Sequence, residues 1–331
     1  MQIGKIPPEI LQNKILPFSG AARAEVLIGP KFGEDCAVLE PGEYLLALAS
    51  DPITGASSKL GKLAVHISCN DIAATGAEPV GLLLTFLFPP GTTESLMQTL
   101  IQEAHETAKK LKVAILGGHS EVTAAVKQVV ITATAVGKVK REHLVLSSGA
   151  RAGDEVILTK VAGLEGTAIL ATDLASRLKE MLPEEIIRGG KALGELLSVV
   201  PEGLIAARFG ATAMHDVTEG GVRGALVELA TASQVGLEIW RDKIPLAAET
   251  RAICRCLNID PLGLIGSGAM LITAPAGSRV LAEIKKAGIA AAVIGKVMPA
   301  PEMYFVSGQG EKEELTAPPR DELYEALEKF K

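Results

Sequence analysis

Four acidic segments of this chain set carboxylates beside small or turn-forming residues, where backbone can approach a ligand closely. They are GEDCAV (Gly33 to Val38), SDPITG (Ser50 to Gly55), CNDIAATGAEP (Cys69 to Pro79) and HDVTEGG (His215 to Gly221). A fifth segment, LGGHSEVT (Leu116 to Thr123), follows the apolar run Val113 to Leu116 and opens on two glycines. It reads as a strand end that exposes backbone N–H groups toward phosphate. Carboxylates with few convergent imidazoles or thiols suit hard cations, and Mg²⁺ typically sits between one or two carboxylates and the oxygens of a substrate phosphate. The chemistry to expect is therefore that of a metal and phosphate site, with zinc the poorer match. Taken singly, Asp35 or Asp51 reads equally well as a solvated turn residue or a helix cap. Asp71 sharpens the case, because it lies inside the mostly apolar run Leu60 to Ala77, where an uncompensated ionised carboxylate is costly to bury.

His119 and His215 each belong to one of these segments and are candidates to donate to phosphate or to shuttle a proton near neutral pH. A hydrogen-bonded structural histidine is the plainer alternative for each. His66, His105 and His143 lack such a setting and receive no role. Gly55 to Leu63, GASSKLGKL, superficially looks like a P-loop, but five residues separate its glycines and Leu63 stands where Ser or Thr is needed. No G-x-G-x-x-G follows a strand, so a Rossmann dinucleotide site has no support. Cys254 and Cys256 form a lone C-x-C pair flanked by Arg251 and Arg255, which reads as structural.

Strands are expected at Tyr44 to Ala49, Val129 to Val136, Val156 to Leu158, Ala211 to Met214, Ala269 to Thr273 and Ala291 to Ile294. Helical spacing covers Leu60 to Thr75, Thr93 to Leu111, Ile186 to Leu197, Val222 to Ala232 and Ser278 to Ala287. Strands and helices alternate throughout, which gives an α/β or α+β class. The clearest boundary signal is SSGARAGDEVILTK, so the expected domains are residues 1–149 and 150–331. At 331 residues, two domains are also what length alone suggests.

Composition removes several function classes. With 39 acidic against 33 basic residues the net charge is −6, so no global basic field attracts nucleic acid or an acidic membrane. Aromatics at 3% are too few for base-stacking platforms. The most apolar run, Val80 to Phe88, falls well short of the ~20 residues that span a bilayer, and MQIGKIPPEILQNKIL lacks the apolar stretch of a signal peptide. Four cysteines make no disulfide scaffold. The expectation is a cytoplasmic protein with neither nucleic-acid nor membrane partners.

The order of motifs (GEDCAV, SDPITG, LGKLAVHISCNDIAATGAEPVG, LGGHSEVT, GDEVILTK, HDVTEGGVRGALVELA) resembles the aminoimidazole ribonucleotide synthetase superfamily, over roughly Gly33 to Gly295. Members include that synthetase, formylglycinamidine ribonucleotide synthetase, selenophosphate synthetase, thiamine-monophosphate kinase and the HypE-type hydrogenase maturation protein, all of which use ATP. The resemblance implies an N-terminal α/β domain whose sheet pairs with that of a second subunit into a barrel, and a C-terminal α/β domain beside it. It places ATP and Mg²⁺ near the interface of that homodimer. By motif it assigns Asp35, Asp51 and Asp71 to metal, Gly117, Gly118, His119 and Ser120 to phosphate, and Asp216, Thr218, Glu219, Gly220 and Gly221 to the nucleotide and metal segment of the second domain.

Departures separate the subfamilies. The first cysteine, Cys36, already lies inside the acidic motif, which disfavours a selenophosphate synthetase, and GSGAMLIT lacks the acidic aromatic segment of thiamine-monophosphate kinases. Length and layout resemble the HypE type, although that type ends in a modified cysteine and the last cysteine here is Cys256. The implied function is ATP- and Mg²⁺-dependent phosphorylation of a carbonyl, amide or phosphate oxygen, with a maturation or accessory protein as a partner. The alternatives are a nucleotide-binding accessory protein without turnover and a small-molecule kinase of the thiamine-monophosphate type.

Overall fold

The computed structural model describes residues 8–16, 24–29, 31–40, 42–53 and 58–330. Thr54 and Gly55 of the SDPITG segment, most of the GASS stretch and the first seven residues lie outside the described residues. A six-stranded sheet is built from β1 (Val26–Ile28), β2 (Ala37–Leu39), β3 (Leu45–Ile53), β4 (Glu78–Phe88), β5 (Ala114–Val122) and β6 (Val130–Val139), in the order β1-β2-β3-β6-β4-β5. Its pairs are antiparallel except β4–β5, whose parallel pairing requires the crossover helix Glu94–Leu111. A seven-stranded sheet follows from β7 (Asp154–Thr159), β8 (Ala213–Asp216), β9 (Gly236–Trp240), β10 (Met270–Pro275), β11 (Ala291–Met298), β12 (Met303–Val306) and β13 (Lys312–Glu314), in the order β13-β12-β9-β11-β7-β10-β8. The expected α/β (α+β) class with two sheets is what the chain adopts.

The helix Leu60–Ala74 organises the molecule. It is apolar on almost every side, and such a helix must be covered all round. One flank packs on β3 and β6 and another on the helix Glu94–Leu111, where Gly61 is obligatory because a Cβ there would sit 2.1 Å from the Leu100 carbonyl oxygen. Its last turn enters the second half of the chain, where Ala73 and Ala74 join a core with Val199, Ala206 and Met214. Thr93 caps the crossover helix by accepting from the Leu96 amide at 3.2 Å, and Lys112 ends it in the left-handed conformation. The cores are aliphatic, as the scarcity of aromatics dictates. Leu63, Ile72, Leu82 and Ile131 fill the first, and Val156, Leu158, Leu226 and Leu229 fill the second.

The GGHS segment, expected at a strand end, continues as strand through Val122, paired residue by residue with β4 at the edge of the sheet. Gly118 makes this possible. At φ 142° its missing side chain lets Leu84 approach so closely that a Cβ would lie 1.8 Å from the Leu84 carbonyl oxygen. A glycine at position 118 is here the consequence of tight strand packing.

Candidate metal and phosphate site

Asp35 lies just before β2, Asp51 on β3, Asp71 in the last turns of the helix Leu60–Ala74, and His215 and Asp216 end β8. Four separate elements supply these five residues, which meet at the seam between the two sheets. Ligand atoms of Asp35, His215 and Asp216 all lie within 4.8 Å of one another. Asp71 is 7% exposed, and its Oδ2 has no hydrogen-bond partner. Burial, and then the charges of Asp216, Asp51 and Asp35, hold its carboxyl well above the usual carboxylate range. The same acids, after burial, push the Cys36 thiol up, so Cys36 is a protonated donor to the Asp71 carbonyl at 3.2 Å and not a nucleophile. Such mutual repulsion among buried acids is relieved by a cation of small radius, which fits Mg²⁺ and oxygen ligation.

His215 proves to be part of the frame. Its Nδ1 is 2.7 Å from Asp35 Oδ1 and its Nε2 is 3.0 Å from Glu228 Oε2. The Nδ1 contact is an ion pair without hydrogen-bond alignment. Burial alone would depress this imidazole, but the Asp35 and Glu228 carboxylates outweigh burial and raise it well above its ordinary 6.5. His215 thus has a carboxylate beside each ring nitrogen, which favours its protonated form and makes it a support of Asp35. The sign for stability follows directly. A raised folded-state value means that the contribution of His215 is complete below about pH 6.5 and fades as pH climbs through the raised value. His215→Gln should therefore cost roughly 3 kcal/mol in acid, and the gap to the parent should narrow at alkaline pH in paired thermal unfolding curves at pH 6 and pH 9. A gap that does not change with pH would contradict this assignment.

Three supports carry no local sequence signal. The Ser147 hydroxyl lies 3.1 Å from Asp35 Oδ2 and 3.0 Å from the Met214 carbonyl oxygen, while its amide donates to Glu34. Glu228 projects from the helix Gly221–Ser233 to His215. Asp321 accepts from the Gly220 amide at 2.6 Å.

The remaining expected residues separate into two groups. Gly220 and Gly221 have positive φ, yet the Gly220 amide is taken by Asp321 and the Gly221 amide by the Thr218 carbonyl, so these N–H groups are not offered to a phosphate. Glu219 reaches the Tyr324 hydroxyl at 3.4 Å, toward the C-terminal helix Glu322–Phe330, and the Thr218 carbonyl also receives the Gly266 amide. Gly117, Gly118, His119 and Ser120 lie on the outer edge of the first sheet. The register runs Asp51, Ala133, Leu84, Gly118 across β3, β6, β4 and β5, which puts Gly118 level with Asp51 but three strand spacings, roughly 14 Å, away. The His119 side chain is 64% exposed and pairs with Glu121 at 3.2 Å. Within one chain, the phosphate segment and the acids are level but apart.

Residues 33–139 match the AIR synthase related protein, N-terminal domain, and residues 151–308 match its C-terminal domain. The carbamoyl dehydratase HypE of Rhodobacter capsulatus is 31% identical over 277 residues, which are 80% of this chain and 78% of the relative. The crystal structure of Escherichia coli HypE superposes with a TM-score of 0.73 at 25% identity, covering 83% of this chain and 86% of that one. A HypE–HypF complex (TM-score 0.74, 22% identity, 86% and 93% covered) and a HypE in complex with ATP (0.71, 21%, 95% and 93%) share the fold. Thiamine monophosphate kinase from Aquifex aeolicus also shares it, at a TM-score of 0.67 and 21% identity over 85% of this chain and 92% of that one. Both halves of the chain are thereby accounted for, and the chain belongs to the AIR synthase related family of ATP-dependent synthetases and kinases, in its HypE-type hydrogenase maturation branch.

Proposed function

We propose that this protein is an ATP- and Mg²⁺-dependent enzyme that phosphorylates the oxygen of a carbamoyl or carboxamide group, as the activating step of its dehydration. The observation that carries the reading is the convergence of Asp35, Asp51, Asp71 and Asp216 from both halves of the chain on one buried spot. These four would hold the metal, which supplies neutralisation of phosphate charge when bound. His215, paired with Asp35, keeps that carboxylate aimed. Phosphoryl transfer of this kind depends on position and electrostatics more than on covalent help from the protein. Transfer of the γ-phosphoryl group to the amide oxygen forms an O–P bond and releases ADP; loss of both N–H protons with the phosphate as leaving group then yields a nitrile. The name carbamoyl dehydratase carried by the Rhodobacter relative supports this acceptor class, and the ATP-bound HypE supports the nucleotide.

The reading divides the chain into a metal-binding and dimerising unit, residues 1–149, and a second unit, residues 150–331. It also includes a homodimer closed through β5. All nine residues of that strand are exposed, among them Ile115, Leu116 (60%) and Val122 (56%), and neighbouring Leu83 is uncovered as well. In the dimer, Gly117, Gly118, His119 and Ser120 of one copy would meet the phosphates held by the acids of the other. A second maturation protein as partner is suggested by the HypE–HypF complex. Among the described residues no helix is long and apolar enough to cross a membrane, and the four free thiols are consistent with the cytoplasm.

The test is a thermal-shift titration of ATP with Mg²⁺ or with EDTA, followed by ADP release in the presence of a carbamoylated or carboxamide compound. The expected result is a rise in melting temperature with ATP that is larger with Mg²⁺ than with EDTA, and acceptor-dependent ADP release. Mg²⁺-dependent binding with no turnover under any acceptor would favour the accessory protein instead.

A further inference from the structure

Asn70 stands next to Asp71 in the helix Leu60–Ala74, is fully buried, and sends its side chain out of its own domain. Its Nδ2 donates to the Leu197 carbonyl at 2.8 Å, and its Oδ1 accepts from the Val199 amide at 2.9 Å. The carbonyl between them, that of Ser198, accepts from Lys160 Nζ at 2.8 Å. Three consecutive backbone positions are thus held by two side chains, one from each half of the chain. Lys160 also donates to the Gly268 carbonyl at 2.7 Å and pairs with Glu202, which is wholly buried. Its neighbour Thr159 accepts from the Met270 amide at 3.0 Å, and Met270 is the residue paired with Asp216 across β10 and β8.

An unbroken line of buried and part-buried contacts therefore runs from Asp71 through Asn70, residues 197–199, Lys160, Thr159 and Met270 to Asp216. The segment 197–199 feeds the helix Val200–Arg208, whose Gly203 lets the Ala73 carbonyl approach so closely that a Cβ would be 2.4 Å away. The joint thus has no slack in which the two halves could slide. Ligand groups on separate rigid bodies depend on whatever fixes those bodies relative to each other, and partners lying one shell behind metal ligands typically set affinity by about 10–100-fold.

We propose that Asn70 is a positioning residue which, with Lys160, grips residues 197–199 and sets the separation of Asp71 from Asp216, and with it the affinity for Mg²⁺. This rests on the acid cluster being the Mg²⁺ site. Asn70 touches neither nucleotide nor acceptor in this role, so it should act on metal affinity and not on nucleotide contacts.

The experiment is calorimetric titration of Mg²⁺ into the full-length protein saturated with a non-hydrolysable ATP analogue, together with hydrogen exchange at the Val199 amide. It compares the parent, Asp71→Asn, Asn70→Ala, and the double variant Lys160→Met/Glu202→Leu, which removes the second grip without stranding a buried charge. Expected are an Mg²⁺ affinity about 10-fold or more weaker in Asn70→Ala and in the double variant, faster exchange at Val199 in Asn70→Ala, and analogue binding in EDTA equal to that of the parent. If Asn70→Ala fails to fold, the double variant alone decides by the same affinity criterion. Parent-like Mg²⁺ affinity in a folded joint variant, with Asp71→Asn defective, overturns the joint and leaves the metal site standing. An Asp71→Asn protein that binds Mg²⁺ like the parent overturns the site itself and the joint with it.

Discussion

Asp71→Asn is expected to make the nucleotide-free protein more stable and the enzyme inactive. Burial and three neighbouring carboxylates disfavour the Asp71 anion in the folded chain and hold its carboxyl well above the ordinary 3.8. For an acid, a raised folded-state value means that folding is penalised at neutral pH and that the penalty lifts as pH falls. Asparagine has nearly the same shape, carries no charge and adds an N–H₂ donor that suits the surrounding acceptors. At pH 7 without metal, the variant should gain roughly 1–2 kcal/mol, the increment commonly found when a strained functional site is relaxed, and the gain should shrink toward pH 4 as the parent takes up its proton. In the same protein the Mg²⁺-dependent ATP shift should vanish. Phosphoryl transfer should fall by on the order of 10³-fold, since metal neutralisation of the transferred charge is worth several kcal/mol. Chemical denaturation in EDTA at pH 7 and pH 4, beside an ADP-release assay, checks both halves. A variant that is destabilised without metal would mean that Asp71 is satisfied by the protein alone, and the argument for a cation would fail.

The acids could be read from sequence because their surroundings are anomalous. Asp71 sits in an apolar helix, and Asp35 and Asp51 stand beside small or turn-forming residues. The helix Leu60–Ala74, the crossover helix and the strands β3, β6 and β7 follow from periodicity that tertiary packing does not override. The VGLLLTFLF run of β4 becomes intelligible only as a strand hydrogen-bonded between β5 and β6. Gly118 is legible only in part, since it answers a backbone approach from Leu84 that no local window contains. The supporting residues are invisible for a similar reason. Ser147 meets Asp35 across 112 positions, Asn70 meets Leu197 across 127, and Gly220 meets Asp321 across 101. A polar side chain whose partner is that far away looks like any solvated residue until the fold brings the partner to it. His215 shows the complementary case, since its motif suggested proton chemistry and only the fold reveals the two carboxylates beside its ring nitrogens.

The roughly 14 Å between Gly118 and Asp51 in one chain leads to the second large effect, an activity shared between two copies. If the exposed β5 closes a two-fold dimer, each site takes its acids from one chain and its Gly117–Ser120 segment from the other. His119→Ala removes a donor from that segment, and Asp71→Asn removes a metal ligand, so each variant dimer alone should be nearly inactive. Random mixing of the two gives heterodimers as half of all dimers. In a heterodimer one site inherits both lesions and the other inherits neither, so the mixture should regain about one quarter of the parent activity. A site built within one chain predicts no recovery, because every chain in the mixture then carries a lesion in its own site. Leu116→Lys provides the matching control, since a charge in the middle of the β5 surface should block pairing and give a monomer that retains the fold but loses activity by more than about 10²-fold. Sedimentation velocity of that variant, read beside ADP release from the mixed dimers, separates the two architectures. Full activity in a monomeric Leu116→Lys protein would place the phosphate contacts within a single chain and remove Gly117–Ser120 from the site.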